Sequence, residues 1–355
     1  MIAVVLGTRP EIIKLSPVIR ELVNKKIKFE LIHTNQHYSK NMDSVFMSEL
    51  NLPKPKFNLN TGGLQRSEMI AKTVEGLANI YRDRKYKLII VQGDTNSVLG
   101  ASLAANFEGI PIAHIEAGLR SGDLSMPEEM NRILTDEMSS YLYAPTKLQE
   151  KTLKSEKVKG EILVVGNTIV DSVIQNLKLA KSKQLVVSDQ ESYVLLTLHR
   201  PSNVDNKKVF QEIIDTLQYI SKEYNLKVIY PIHPRSKANL LKFKIKFDTS
   251  FIKIIEPVDY LDMLNLESNA KVILTDSGGL QEEACILKVP CVTIRENTER
   301  PETVFVGANI VAGVKKQLIV SAFKKVFNLG RKWKNPFGNG DSSKLIVKSI
   351  LKYAI

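Results

Sequence analysis

Among 355 residues the chain carries only two cysteines, Cys285 and Cys291. Their spacing fits neither a zinc site nor a CxxC redox pair. Both sit in apolar surroundings, so they are expected to be buried, reduced thiols of a cytoplasmic protein. No apolar run approaches the roughly 18 residues of a membrane span, so no membrane is expected as a partner. "MIAVVLGTRPE" enters a strand directly, without a basic n-region or a small-residue cleavage site, which predicts no secretory signal. No histidine pair has HxH or HExxH spacing, so no metal is indicated. Walker A and GxGxxG sequences are both missing. So are low-complexity segments, a basic tail, zinc-finger spacing and any RNP-like stretch. The net charge of +12 comes from scattered lysines with short clusters at 25–28 and 242–246. It reads as a solvated basic surface rather than a nucleic-acid footprint, and it also suits a pocket for a polyanionic small molecule.

What is present is an alternation. Apolar runs at 2–6, 29–34, 87–92, 112–115 and 161–165 are followed by a second set at 193–198, 227–232, 251–256, 271–275 and 290–294. Most are continuous, as in parallel strands buried on both faces. Stretches such as 67–84 and 206–224 carry apolar residues at helical spacing. The pattern predicts two doubly wound, Rossmann-like α/β domains, which the chain length also favours. The break falls near 166–192, and 342–354 reads as one more amphipathic helix.

Ligands of open parallel sheets bind beyond the carboxyl ends of the strands. After the first strand, "GTRPEIIK" offers Arg9 and Lys14 near a helix N-terminus, either as anion contacts or as a plain turn. After 87–92, "GDTNS" puts Asp94 at the tip, where it is also a good N-cap. Then comes "HIEAGLRSGDLSMPEEMNR", rich in charge. Glu128 and Glu129 suit the first turn of a helix, but Glu116 precedes Ala-Gly and has no helix to cap. His33, His114, His199 and His233 all lie at or next to strand ends, which favours a cleft over four separate structural histidines. In "TDSGGLQEEA", Ser277, Gly278 and Gly279 open a helix where a phosphate can approach free N–H groups. Glu283 follows one turn later, within reach of ribose hydroxyls. The loop "RENTERPET" adds Arg295 and Arg300, alternatively as solvated ion pairs.

Eight segments, "GTRPE", "QGDTNS", "HIEAGLRS", "MPEEMNR", "LTLHR", "PIHP", "TDSGGLQEEA" and "TERPE", occur in order from residue 7 to residue 302. Together they resemble the non-hydrolysing UDP-N-acetylglucosamine 2-epimerases. The resemblance implies a GT-B-like fold, with domains 1–166 and 167–341 and the active site in the cleft between them. It implies that the helix at 342–355 rejoins the first domain, and that the protein is a homodimer. It also implies roles. Ser277, Gly278 and Gly279 match the diphosphate loop, Glu283 the ribose contact, and Arg9 and His233 further UDP contacts. Asp94, Glu116, Glu128, Arg132, His199 and Arg300 match sugar and catalytic positions, and Lys14 matches a functional one. Gln36 and His37 match part of a regulatory site of some bacterial members, whereas 62–69 departs from its partner region. Two other departures are Ser202 in "HRPSN" and the segment "PIHPRS".

The chemistry implied is reversible epimerisation at C2 of UDP-N-acetylglucosamine. A C2 proton with no adjacent carbonyl is not acidic, so the family's route eliminates UDP to 2-acetamidoglucal and adds it back. That requires an acid, a base and a site closed to water, and no redox cofactor. Clustered carboxylates raise one another's pKa, so one of them can hold a proton near neutrality. The alternatives are a hydrolysing 2-epimerase, an epimerase of a related UDP-sugar, a GT-B glycosyltransferase and a non-catalytic nucleotide-sugar sensor.

Overall fold

Every residue of β1 (Ile2–Leu6), β4 (Leu88–Gln92) and β5 (Ile112–Ile115) is buried, as apolar runs without alternation require. With β2 (Phe29–His33), β3 (Phe57–Asn58), β6 (Tyr141–Ala144) and β7 (Glu161–Val164) they form a seven-stranded sheet in the order β3-β2-β1-β4-β5-β6-β7. A second sheet contains β8 (Tyr193–Thr197), β9 (Lys227–Pro231), β10 (Ile252–Ile255), β11 (Val272–Thr275), β12 (Cys291–Thr293) and β13 (Asn309–Val311). Its order is β10-β9-β8-β11-β12-β13. Pairing is parallel throughout both sheets. This computed structural model describes residues 1–36, 46–183 and 192–354.

Strands β3, β6 and β13 have no counterpart among the ten runs expected from the sequence. Two of the three are very short, with two residues in β3 and three in β13. The chain divides into two units, Met1–Ser172 with Phe337–Ile355, and Val173–Pro336. Among the described residues no helix is long and apolar enough to cross a membrane.

Helices supply the other half of each core. Lys207–Tyr224 turns Phe210, Ile213, Ile214, Leu217 and Ile220 inward at helical spacing. Asn206 caps its start by accepting from the N–H groups of Lys208 and Val209, and it stops at Asn225 in the left-handed conformation. These side chains pack against Val194, Leu196 and Val228 of the second sheet. In helix Arg9–Asn24, Pro17 has no N–H for the carbonyl of Ile13, and the Ser16 hydroxyl donates to that oxygen at 2.9 Å instead. Helix Ser342–Ala354 packs against Arg9–Asn24. Its N-terminus is held by Asp171, which accepts from the Ser343 N–H at 2.9 Å and the Ser343 hydroxyl at 2.7 Å.

Each sheet has one point where the strand order reverses. It lies between β1 and β4 in the first unit and between β8 and β11 in the second. Adjacent connections there leave on opposite faces, which opens a crevice at the carboxyl ends. The four turns into helices at these points, 7–9, 93–96, 198–203 and 276–279, contain much of the charge singled out above.

Candidate active site

In the first unit the loop after β1 lies against the loop after β4 without a gap. A Cβ on Gly7 would stand 2.1 Å from both Ser97 Oγ and Thr34 Oγ1. Those hydroxyls are hydrogen-bonded to each other at 2.6 Å. Gln36 closes the arrangement, its Oε1 accepting from the Ser97 N–H at 3.0 Å and the Ser97 hydroxyl at 2.9 Å. Gln36 therefore sits on the N-terminus of helix Asn96–Phe107, and His37 lies outside the described residues. Arg9 is half-buried, with its guanidinium 5.7 Å from the ring centre of Phe46.

Glu11 is buried beneath this turn. It accepts from the Gly7 N–H at 3.0 Å and from the Thr95 hydroxyl at 3.0 Å. Burial pushes its carboxyl up to about 7, against the lowering effect of the hydrogen bonds from Thr8, Thr95 and Gly7.

Glu116 follows β5 with φ of +71°, a left-handed conformation rare for a side chain of its size. Its carboxylate is 2.5 Å from Lys14 Nζ, accepts from Gln92 Nε2, and is 3.3 Å from Asn167 Nδ2. Lys14 and Glu116 are both more than nine-tenths buried, so each charge is balanced by the other. Asp94, half-buried at the end of the neighbouring strand β4, pairs with Arg132, while Asn131 Nδ2 donates to the Asp94 carbonyl at 2.8 Å.

The two glutamates at the start of helix Pro127–Met138 differ. Glu128 is exposed. Glu129 is buried and accepts from the N–H groups of Ser121 and Gly122 at 2.9 Å, with Arg132 at 2.8 Å. Burial would raise the Glu129 carboxyl, but these donors outweigh it and hold it below the usual range.

Two of the four strand-end histidines are structural. His33 is buried, and burial lowers it to about 4, while the Asn35 N–H donates to its Nδ1 at 2.8 Å. His114 is buried between Asp136 at 2.7 Å and the Gly93 carbonyl at 2.8 Å. Asp136 also accepts from the Gly118 N–H at 3.1 Å and pairs with Arg120 at 2.8 Å, which ties down both sides of the Glu116 loop. The crevice reading of all four histidines is thus corrected to His199 and His233.

In the second unit Asp276 is the centre of the crevice. Its carboxylate is 3.0 Å from His199 Nδ1 and also accepts from the N–H groups of His199 and Arg200 and from Asn203 Nδ2. Burial raises this carboxyl, but the His199 contact and the backbone donors together hold it below the usual range. The rings of His199 and His233 are 5.5 Å apart. His233 is exposed, and it is lowered by partial burial and by His199.

Helix Gly278–Leu287 begins beside them, with Ser277 at its N-cap making no side-chain cap bond. A Cβ on Gly278 would meet nothing nearer than Glu299 Oε2 at 3.7 Å, and one on Gly279 nothing nearer than Ser277 Oγ at 3.9 Å. Neither glycine has positive φ. The fold itself does not require them to be glycine, and the space they leave open lies at a positive helix end. Glu283 is buried one turn on, in front of a fully buried Glu267. Burial and the neighbouring charge of Glu283 raise the Glu267 carboxyl well above its usual value. Arg300 Nε lies 2.9 Å from Glu282, and Arg295 grips Glu299 through two 2.8 Å contacts. Burial alone would raise Glu299, but Arg295 takes it down to about 2.

The sequence over residues 20–351 matches the family model for UDP-N-acetylglucosamine 2-epimerase. The chain belongs to the UDP-N-acetylglucosamine 2-epimerase family. It is 52% identical to the UDP-N-acetylglucosamine 2-epimerase of Methanocaldococcus jannaschii, over 99% of each chain. It superposes with a TM-score of 0.89, at 49% identity and 99% coverage of each chain, on the crystal structure of that enzyme in complex with UDP-GlcNAc and UDP. It is also 35% identical, over 99% of each chain, to the UDP-2,3-diacetamido-2,3-dideoxy-D-glucuronate 2-epimerase of Pseudomonas aeruginosa. The two parallel-sheet units are those of the GT-B-like fold.

Several residues of this 2-epimerase family member escape the strand-end reading: Glu11, Gln92, Asn167, Asp136, Asn203 and Asp276. Gln92 and Asp276 had a visible signal, a polar residue at or just past the end of an apolar strand. Asn167 and Asp136 lie far along the chain from the groups they hold, and nothing local marks them.

Proposed function

We propose that the protein is an isomerase that interconverts UDP-N-acetylglucosamine and UDP-N-acetylmannosamine without net hydrolysis. A base takes the C2 proton while the C1–O electron pair leaves with UDP, and a C1–C2 double bond forms in 2-acetamidoglucal. UDP then returns to C1, and C2 takes a proton on its opposite face. Asp94, Glu116, Glu128 and His199 are assigned to the proton transfers. Ser277, Gly278, Gly279, Arg9 and His233 are assigned to the diphosphate, Glu283 to the ribose, and Lys14, Arg132 and Arg300 to orienting the sugar and balancing charge. Gln36 and His37 remain assigned to a regulatory site.

The observation that carries this reading is the placement of Asp94 and Glu116 at the carboxyl ends of adjacent strands, in a chain that aligns end to end with an enzyme crystallised with UDP-GlcNAc. Both carboxylates are held by cations, Arg132 and Lys14. Paired acid and base groups on fixed elements are what a stepwise elimination needs. The same reading makes the protein a cytoplasmic homodimer that supplies a precursor for surface polysaccharide or other glycans.

The test is proton NMR of purified protein with UDP-GlcNAc in deuterium oxide. The expected result is an equilibrium with UDP-ManNAc carrying deuterium at C2. UDP with free ManNAc would assign the hydrolysing reaction instead. An inert UDP-GlcNAc, with turnover of a 2,3-diacetamido uronate, would move the substrate to that of the Pseudomonas aeruginosa relative.

A further inference from the structure

His199 and His233 face each other in the second unit, yet their neighbours fix them differently. On His199, Nδ1 is 3.0 Å from Asp276, a carboxylate with no exposed side-chain surface. An ionised carboxylate only accepts, so Nδ1 carries the hydrogen and Nε2 has the lone pair. On His233, Nδ1 accepts from the Arg235 N–H at 3.2 Å as the cap of helix Pro234–Phe243. Its lone pair is therefore at Nδ1, and its hydrogen is at Nε2.

We propose that Asp276 is a positioning residue that holds His199 as the Nδ1–H tautomer, so that Nε2 is its nitrogen for ligand, while the helix cap holds His233 as the opposite tautomer, an Nε2–H donor. The pair then offers a nucleotide sugar two unlike groups 5.5 Å apart. One takes up or gives back a proton. The other presents its Nε2–H to an anionic oxygen. Partial burial, His199 and Arg235 disfavour the charged form of His233, and Asp276 favours it. This rests on the epimerase reading for the identity of the ligand, but not for the tautomers.

The surroundings of Asp276 predict that asparagine is a poor substitute. The carboxylate is surrounded by donors: the N–H groups of His199 and Arg200, Asn203 Nδ2 and His199 Nδ1. In Asp276→Asn, a single oxygen serves the backbone N–H groups, and the amide NH₂ is turned to His199 Nδ1. That forces the proton to Nε2. A wrongly set tautomer of a proton-transfer histidine costs about 10⁴-fold in rate in hydrolases, with geometry otherwise kept.

Nitrogen-15 NMR of histidine-labelled protein at alkaline pH tests this, with signals assigned by H199Q and H233Q. His199 is expected protonated at Nδ1 and His233 at Nε2. Equal tautomers on both rings, or the reverse assignment, would overturn the proposal. D276N is then expected to show His199 protonated at Nε2, with kcat on UDP-GlcNAc lowered by ~10²–10⁴-fold and UDP affinity changed only a few-fold. A D276N protein with unaltered tautomer, or with unaltered kcat and only a lower melting temperature, also overturns it. If D276N does not fold, the wild-type spectrum decides alone. The assigned tautomers in a protein that leaves UDP-GlcNAc unchanged would keep the proposal and refute the epimerase reading.

Discussion

Glu11 accepts a hydrogen bond from Thr95 at 3.0 Å, and so joins the turn after β1 to the turn after β4 beneath the reversal point of the first sheet. Asp276 joins the turn after β8 to the turn after β11 at the same place in the second sheet. A buried carboxylate thus fastens the two loops of each crevice.

The Glu11 carboxyl makes stability depend on pH. Its value rises from 4.5 to about 7 on folding, mainly through burial. Below pH 4.5 it is protonated in both states. Between 4.5 and about 7 the unfolded chain loses the proton and the folded protein keeps it, so stability falls as pH rises. The loss approaches about 3 kcal/mol above pH 7. Glu11→Gln removes it. Chemical unfolding at pH 5 and pH 8 is expected to show E11Q gaining on the native protein at the higher pH. A difference that does not vary with pH would refute the assignment.

Asp94→Asn is expected to reduce turnover by ~10²–10⁴-fold with near-native melting, because Arg132 keeps Glu129 as a partner. Glu116→Gln is expected to lose turnover and stability together. It removes the charge 2.5 Å from the buried Lys14 ammonium, so a lower melting temperature is expected with the lost turnover. Turnover and melting temperature of both variants check this, and a fully active D94N would remove Asp94 from the chemistry.

Neighbouring Glu128 and Glu129 separate in the same two measurements. Glu129→Ala leaves the Ser121 and Gly122 N–H groups without their acceptor, an expected loss of about 1–3 kcal/mol. Glu128→Gln changes an exposed side chain and is expected to melt as the native protein does, while turnover falls. An E128Q variant with full turnover would take Glu128 out of the assignment.

Two glycine substitutions separate fold from ligand. Gly7→Ala drives a methyl group against Ser97 and Thr34 and is expected to destabilise by about 1–3 kcal/mol. Gly279→Ala has room for its methyl group and is expected to melt normally but to bind UDP weakly, as titration calorimetry would show. Unchanged UDP affinity in G279A would place the diphosphate elsewhere.

The two-sheet architecture was legible because buried parallel strands leave continuous apolar runs, and ten of thirteen strands carry one. The four apolar residues Tyr141–Ala144 have no place among the ten runs, and the strands at 57–58 and 309–311 are too short to leave one. The candidate loops were legible because glycine and charge cluster at strand ends. The supports were not. Asn167 reaches Glu116 across 51 positions and His199 reaches Asp276 across 77, and such pairings leave no local pattern. His114 was misread for the same reason, since its satisfying partner, Asp136, lies 22 residues away on a helix.

The closing of the first unit by helix Ser342–Ala354 sets an order of events during synthesis on the ribosome. Residues 173–336 are all translated before Ser343 exists to meet Asp171. The second unit is therefore contiguous and free to fold while the first still lacks a helix. Nascent chains halted before residue 342 are expected to expose the face of Arg9–Asn24 that this helix covers, leaving that face a target for chaperones until translation passes it.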